Sequence, residues 1–230
     1  MNTNKIVFFL ALFSISLVSC NNIELREEIE NYFEKVNFDS AKKNTKTIKL
    51  TSSFEVKENN KITSYRYTTL EASLEEENYY YNIHEQYLGI YAEGGTNDAI
   101  KKIYFDSDDK KYHMYENYDN KVNENIVEVS YVEETLTRIF YSSDNSGLKT
   151  GGLFYGDDIK QLYRFQDFMS VNEDTNELTL TIENFVTDDV TNSYSYTLNQ
   201  YGMLLSYDLI SYNSLKTLTG TILVSYNEIL

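Results

Sequence analysis

From Thr47 almost to its end the chain alternates apolar and polar residues with a period of two, and this limits its possible folds more than any other feature. Ile48, Leu50, Phe54 and Val56 alternate with Lys49, Thr51, Ser53 and Glu55. Such a segment turns one apolar face inward and one polar face outward, as a half-buried strand does. Glu58-Asn59-Asn60-Lys61 reads as a hairpin turn, and further strands are expected over 62–74, 79–91, 99–105 and 111–118. The breaks between them, Glu75-Glu76-Glu77, Gly94-Gly95-Thr96-Asn97 and Ser107-Asp108-Asp109-Lys110, are short enough to join antiparallel neighbours. The last third repeats the pattern. Leu178, Leu180 and Ile182, then Tyr194, Tyr196 and Leu198, alternate with Thr and Ser; Asn199-Gln200-Tyr201-Gly202 turns the chain, and Leu218, Ile222 and Val224 oppose three Thr residues. Gly220 falls on that apolar face, where a missing side chain permits a bend or the close approach of another group.

Two stretches break the period. Over 23–36, Leu25, Ile29, Tyr32, Phe33 and Val36 form the stripe of an amphipathic helix, with Asn21 and Glu24 at capping-box spacing. Its outer face is acidic, which suits packing on a core; a lipid-surface helix favours Lys and Arg there. Ser130 and Glu133 make a second capping box, and Val132, Leu136, Ile139 and Phe140 share a face, so a helix is expected over 131–141. The following 142–147 segment, Gly151-Gly152 and Gly156 read as flexible. Asp157 or Asp158 would cap a short helix running to Tyr163, with a strand beginning near Leu162 as the alternative.

The formal charge of −16 disfavours nucleic acid and anionic headgroups as partners. Cys20 is the only cysteine, so no intrachain disulfide can form. His84 and His113 are the only histidines; without thiolates they cannot complete the usual zinc sets unless carboxylates join them, and they read as solvated or hydrogen-bonded strand residues. Asp106-Ser107-Asp108-Asp109 and Asp157-Asp158 lack the Gly and distal Glu of a calcium loop. No Ser lies in a nucleophile elbow, and Leu153 stands where a phosphate loop needs Lys after Gly147 to Gly152. No catalytic residue, metal site or cofactor is therefore expected, and the chain does not read as an enzyme. Tyrosine stands out at 22 residues, with Tyr79-Tyr80-Tyr81 and Tyr112, Tyr115 and Tyr118 in two groups. Tyr suits a pleated, half-buried surface, and it also suits the lining of a ligand groove.

At the N-terminus Lys5 precedes thirteen apolar or small residues, 6–18, and the run closes on Leu17-Val18-Ser19-Cys20. This resembles the lipobox of bacterial lipoproteins. The resemblance implies a signal peptide over 1–19, diacylglycerol and palmitate attachment at Cys20, and one extracytoplasmic domain over 20–230 anchored to the cell membrane. An apolar run this short fits a signal better than a spanning helix of roughly 20 residues. Cleavage would remove Lys5 and no acid, making the body more acidic still. Attachment would then come from the acyl chains, two of which anchor stably where one does not.

The element order, N-terminal helix, long meander, helical and Gly-rich interruption, final meander, resembles the half-barrel family of lipoprotein carriers, namely the periplasmic lipoprotein chaperone and the mycobacterial lipid-carrying lipoproteins. It implies a mainly β, α+β fold: an N-terminal helix and a large curved antiparallel sheet, with one or two helices near 131–163 over an apolar cavity. The resemblance lies in element order, so it transfers no functional residue. The expected function is a membrane-anchored lipoprotein that binds an apolar or amphipathic, lipid-like ligand in the concavity. The alternative is a surface interaction or adhesion lipoprotein using the outside of the sheet and loops such as 93–98. The near absence of a tether between Cys20 and the first helix argues against long-range shuttling.

Overall fold

The alternating segments pair into one antiparallel sheet. A computed structural model describes residues 25–36, 41, 43–75, 79–92, 97–141, 163–187 and 189–228. Cys20, the Asn21 and Glu24 pair, Asp157, Asp158 and the Gly-rich stretch lie outside these residues. The first meander comprises β1 (Thr45–Glu58), β2 (Lys61–Ser73), β3 (Tyr80–Leu88), β4 (Asp98–Asp106), β5 (Lys111–Tyr118) and β6 (Lys121–Val127). The second comprises β7 (Met169–Asn172), β8 (Glu177–Thr187), β9 (Val190–Leu198), β10 (Leu204–Tyr212) and β11 (Lys216–Glu228). The strand order is β6-β5-β4-β3-β2-β1-β11-β10-β9-β8-β7. The first and last strands of the sheet region thus pair along their whole length, Thr45 to Glu58 against Glu228 to Lys216, and weld the two meanders into one open, curled sheet.

Strands β6 and β7 form the two edges, and neither is expected from the period-two pattern. Both have weak patterns for a physical reason. Strand β6 exposes nearly every residue, and β7 has only four. Elsewhere the strands match expectation to within a few residues, except that 89–91 closes as a 3-10 turn after β3.

Two helices cover the apolar face. Helix α1 (Glu27–Lys35) is shorter than the expected 23–36, because Arg26 is extended (φ −64°, ψ 141°). Tertiary contacts hold Arg26 in that form: its amide donates to Gln166 Oε1 at 2.8 Å, and its guanidinium donates to the Gln166 and Met169 carbonyls. Ile29, Tyr32 and Phe33 are buried, and the Tyr32 hydroxyl donates to the Asn199 carbonyl at 2.6 Å. Helix α2 (Val129–Tyr141) starts two residues before expectation. The Glu128 carbonyl accepts from the Tyr131 and Val132 amides, so Ser130 lies inside the first turn and does not cap it. Glu133 accepts instead from the Tyr79 hydroxyl at 2.8 Å, tying α2 to the start of β3. Val132 and Leu136 are fully buried in the same core as α1. Residues 163–168 form a 3-10 helix leading into β7, not a strand beginning near Leu162.

Gly220 shows the close approach that its place on the apolar face implies. A Cβ there would lie 2.4 Å from Phe54 Cε1, because the Phe54 ring lies across β11. We expect Gly220→Ala to destabilise the fold. Overpacking a buried ring costs about 1–3 kcal/mol, and the gain in strand backbone entropy offsets less than about 1 kcal/mol of that. Urea melts showing Gly220→Ala as stable as the wild type would place the ring elsewhere.

Candidate functional site

The concave face changes character along the strands. Near the helices a row across the sheet is apolar and buried: Leu50 faces Leu70 on β2 and Val224 on β11, and Leu70 faces Ile83. One step toward the β1–β2 hairpin the row reads Ser52, Thr68, Glu85, Ala99 and Tyr118 on one side, with Ile222, Tyr207 and Tyr196 on the other. One step further, Phe54 faces Arg66, and Arg66 faces Tyr87.

The charges on this face come in pairs, one in the rows toward the hairpin and one where the Leu50–Leu70–Ile83 row runs on to Lys101 and Glu116. Arg66 Nη2 lies 2.7 Å from Glu85 Oε1, with side chains only 21% and 15% exposed, and the Thr68 hydroxyl reaches the same oxygen at 3.4 Å. The Arg66 guanidinium sits 5.4 Å from the Tyr87 ring centre. Beside it, Lys101 Nζ is 3.1 Å from Glu116 Oε1 and 5.5 Å from the Tyr118 ring centre. Two cations face two carboxylates, so the zone is polar but formally neutral. Burial pushes the Tyr81, Tyr87 and Tyr91 hydroxyls above the usual tyrosine range; Glu85 adds to the first two shifts and Arg66 opposes the third. Burial alone would lower Lys101, yet its bonds to Tyr118 and Glu116 outweigh this and raise it. These groups keep their neutral-pH protonation states well into alkali.

At the hairpin end the face closes on a small pocket between Val56, Ser64, Tyr91, Ser211 and Leu218, with a volume of ≈ 40 Å³. A drug-sized ligand needs roughly 300–1,000 Å³. The pocket is therefore far too small for a lipid chain in this conformation. On the convex face, a shallow open groove of ≈ 470 Å³ runs past Tyr80, Asn82, Lys102, Tyr104 and Tyr115.

The two Tyr groups therefore divide between faces. Tyr81 and Tyr118 belong to the concave zone, Tyr112 is buried in the core, and Tyr80 and Tyr115 line the convex groove. Both histidines are hydrogen-bonded strand residues, as expected. His84 Nε2 lies 2.6 Å from Asp98, and His113 lies 2.9 Å from Asp109 and 3.6 Å from Glu124 while stacking on Tyr104. The potential ligand atoms of Asp106, Asp109 and His113 lie within 4.8 Å of one another. Local bonds account for this grouping: Asp106 accepts from the Asp108 amide, Asp109 from the Lys111 amide, and the His113 bond holds the Asp109 carboxyl below its usual range.

Arg66, Glu85, Lys101 and Glu116 are the residues that motif reading missed. Their signal lies in the alternation itself, since each occupies an inward position where the strand pattern calls for an apolar side chain.

No protein-family model matches the chain, and no curated protein matches it in sequence. Solved structures with some likeness include a β-barrel-like protein of the domain of unknown function DUF1849 from Brucella abortus. It is 9% identical with a TM-score of 0.28, and the match covers 80% of this chain and 98% of that one. A DUF1329 family protein from Desulfovibrio piger is 8% identical with a TM-score of 0.26, covering 88% and 93%. Likeness at this level assigns no function.

Proposed function

We propose that the chain is a membrane-anchored extracytoplasmic lipoprotein, attached through Cys20, whose sheet holds an amphipathic, lipid-like ligand on its concave face. The observation that carries the reading is the division of that face. An apolar row suited to a hydrocarbon chain passes directly into a neutral zone of paired charges and tyrosines suited to a polar head. Paired charges inside a sheet are a weak source of stability, because desolvation offsets their attraction. A polar ligand gives them a use that packing does not. Because the hairpin-end pocket is small and Leu50, Leu70 and Ile83 are buried in the core, a chain reaches the apolar row only if the packing over it opens.

The test is extraction of the protein, purified from bacterial membranes under native conditions, followed by mass spectrometry. A stoichiometric apolar or amphipathic molecule besides the acyl anchor is the expected result; protein that repeatedly comes out clean sinks the ligand reading. The anchor has its own test: Cys20→Ala should abolish labelling by a fatty-acid analogue, and labelling equal to the wild type would contradict the assignment.

The convex groove favours the second reading, an interaction lipoprotein. Its Tyr80, Tyr104 and Tyr115 rings stand on the outside of the sheet beside Lys102, where a partner could reach them without any movement of the fold. Clean protein whose surface binding is lost on Tyr104→Ala and Tyr115→Ala would make this the better account.

A further inference from the structure

Three buried donors on the concave face have no hydrogen-bond partner among the described residues: Ser211 Oγ, apart from the others in the hairpin-end pocket, and the neighbouring pair Arg66 Nε and Ser52 Oγ. Ser52 is 6% exposed, so water does not reach it freely. The two residues lie on adjacent strands and the same face. Ser52 is directly opposite Thr68, and Arg66 is two positions from Thr68 along β2. Diagonal neighbours of this kind are about 7–8 Å apart at the backbone, within the span of a long side chain. Ser52 adjoins the apolar row, two positions from Leu50, and Arg66 lies one row beyond it, opposite Phe54.

Folded proteins leave few buried donors unpaired, because each has given up water and gained nothing. Two together, at the junction of an apolar and a polar surface, point to an acceptor brought from outside. The neighbouring charges indicate its chemistry. Glu85 already balances Arg66, and Glu116 balances Lys101. An anionic head would add a negative charge beside Glu85, and like charges at close range repel strongly where water is scarce. A neutral oxygen acceptor satisfies the donors without that penalty, while Leu50, two positions from Ser52, and its neighbours Leu70 and Ile83 supply contacts for a hydrocarbon chain once the packing over them opens.

We propose that Arg66 Nε and Ser52 Oγ hold the carbonyl oxygen of a neutral acyl lipid whose chain lies along the apolar row. This rests on the ligand reading given above and adds the chemistry of the head.

A pair of lipids that differ only in the carbonyl provides the test. 1-Monopalmitoylglycerol carries an ester carbonyl, and 1-O-hexadecylglycerol replaces it with an ether. The full-length protein is equilibrated with an equimolar mixture in mild detergent, recaptured, and its retained lipids are measured by mass spectrometry, so that partitioning into micelles cancels in the ratio. The wild type should retain the ester over the ether by about tenfold, the range of one to two well-formed buried hydrogen bonds. Arg66→Lys keeps a cation for Glu85 but removes Nε, and Ser52→Ala removes an unpaired hydroxyl and breaks no bond. Both should bring the ratio close to one. Retention of neither lipid overturns the ligand reading together with this inference. Retention of both at parity by the wild type, or an ester preference that survives both substitutions, overturns the carbonyl site alone and leaves the ligand reading standing.

Discussion

Tyr32→Ala should cost the protein about 3–5 kcal/mol, the usual range for truncating a buried aromatic ring. For a chain of this size that corresponds to a fall of roughly 10 °C in melting temperature. Tyr32 is 1% exposed, stands edge-on to Phe33 at 5.4 Å, and is the bond through which α1 grips the β9–β10 turn. Truncation leaves a cavity between helix and sheet. It also removes one of the donors to the Asn199 carbonyl, although the Gly202 amide at 2.9 Å still satisfies that oxygen. Tyr32→Phe should therefore cost only about 1 kcal/mol, the net contribution of one hydrogen bond. The gap between the two variants separates packing from polar contact. If urea melts place Tyr32→Ala within 1 kcal/mol of the wild type, α1 does not cover the sheet as described.

The sheet was legible because burial on one face forces alternation, and alternation survives in residues such as Ile48, Leu50, Phe54 and Val56 whatever the neighbouring strands do. Pairing across the chain was not legible. Nothing local in Thr45–Glu58 identifies Lys216–Glu228 as its partner; that choice is made by curling the whole sheet. Edge strands escaped for the opposite reason. Val122 and Ile126 are 60% and 55% exposed, so β6 carries no inward and outward contrast to read. The start of α1 moved through a tertiary contact, Gln166 fixing Arg26, whereas α2 starts early on a local bond, the Glu128 carbonyl taking its first turn.

The candidate site was legible only as an exception. Arg66, Glu85, Lys101 and Glu116 each occupy a position whose strand neighbours two residues away are inward, so each is a charge in a slot expected to be apolar. Read singly, such a residue looks like an imperfect strand. Only the register shows that Arg66 can meet Glu85 and that Lys101 can meet Glu116. The Tyr-rich segments misled for a related reason: Tyr79-Tyr80-Tyr81 looks like one cluster along the chain, yet a strand sends successive side chains to opposite faces.

Raising the pH above about 10 should unfold the protein steeply, with buried tyrosines as the cause. Desolvation holds the hydroxyls of the buried Tyr32 and of Tyr81, Tyr196 and Tyr207, half-buried against the core, well above the ordinary tyrosine value in the folded state. In the unfolded chain the same groups ionise near pH 10. Below that pH both states carry the proton and the tyrosines leave stability unaffected by pH. Above it the unfolded state releases protons that the folded state retains, so stability falls until the folded values are reached. Each such group contributes a loss of about 1.4 kcal/mol per pH unit, and the four together several kcal/mol per unit, enough to exhaust the roughly 5–15 kcal/mol of a typical domain within a few units. Surface tyrosines behave differently. Tyr67 is pushed up to about 12 mainly by its hydrogen bond to Glu55, so it adds to the fall in stability between pH 10 and 12, yet its ionisation breaks that one bond and not the sheet. Tyrosinate absorbance followed together with circular dichroism should therefore show two stages, a gradual one with the sheet intact and an abrupt one coincident with its loss. A single gradual titration, complete before the dichroism changes, would mean that water reaches all four rings and that the concave face is open far beyond the described surface.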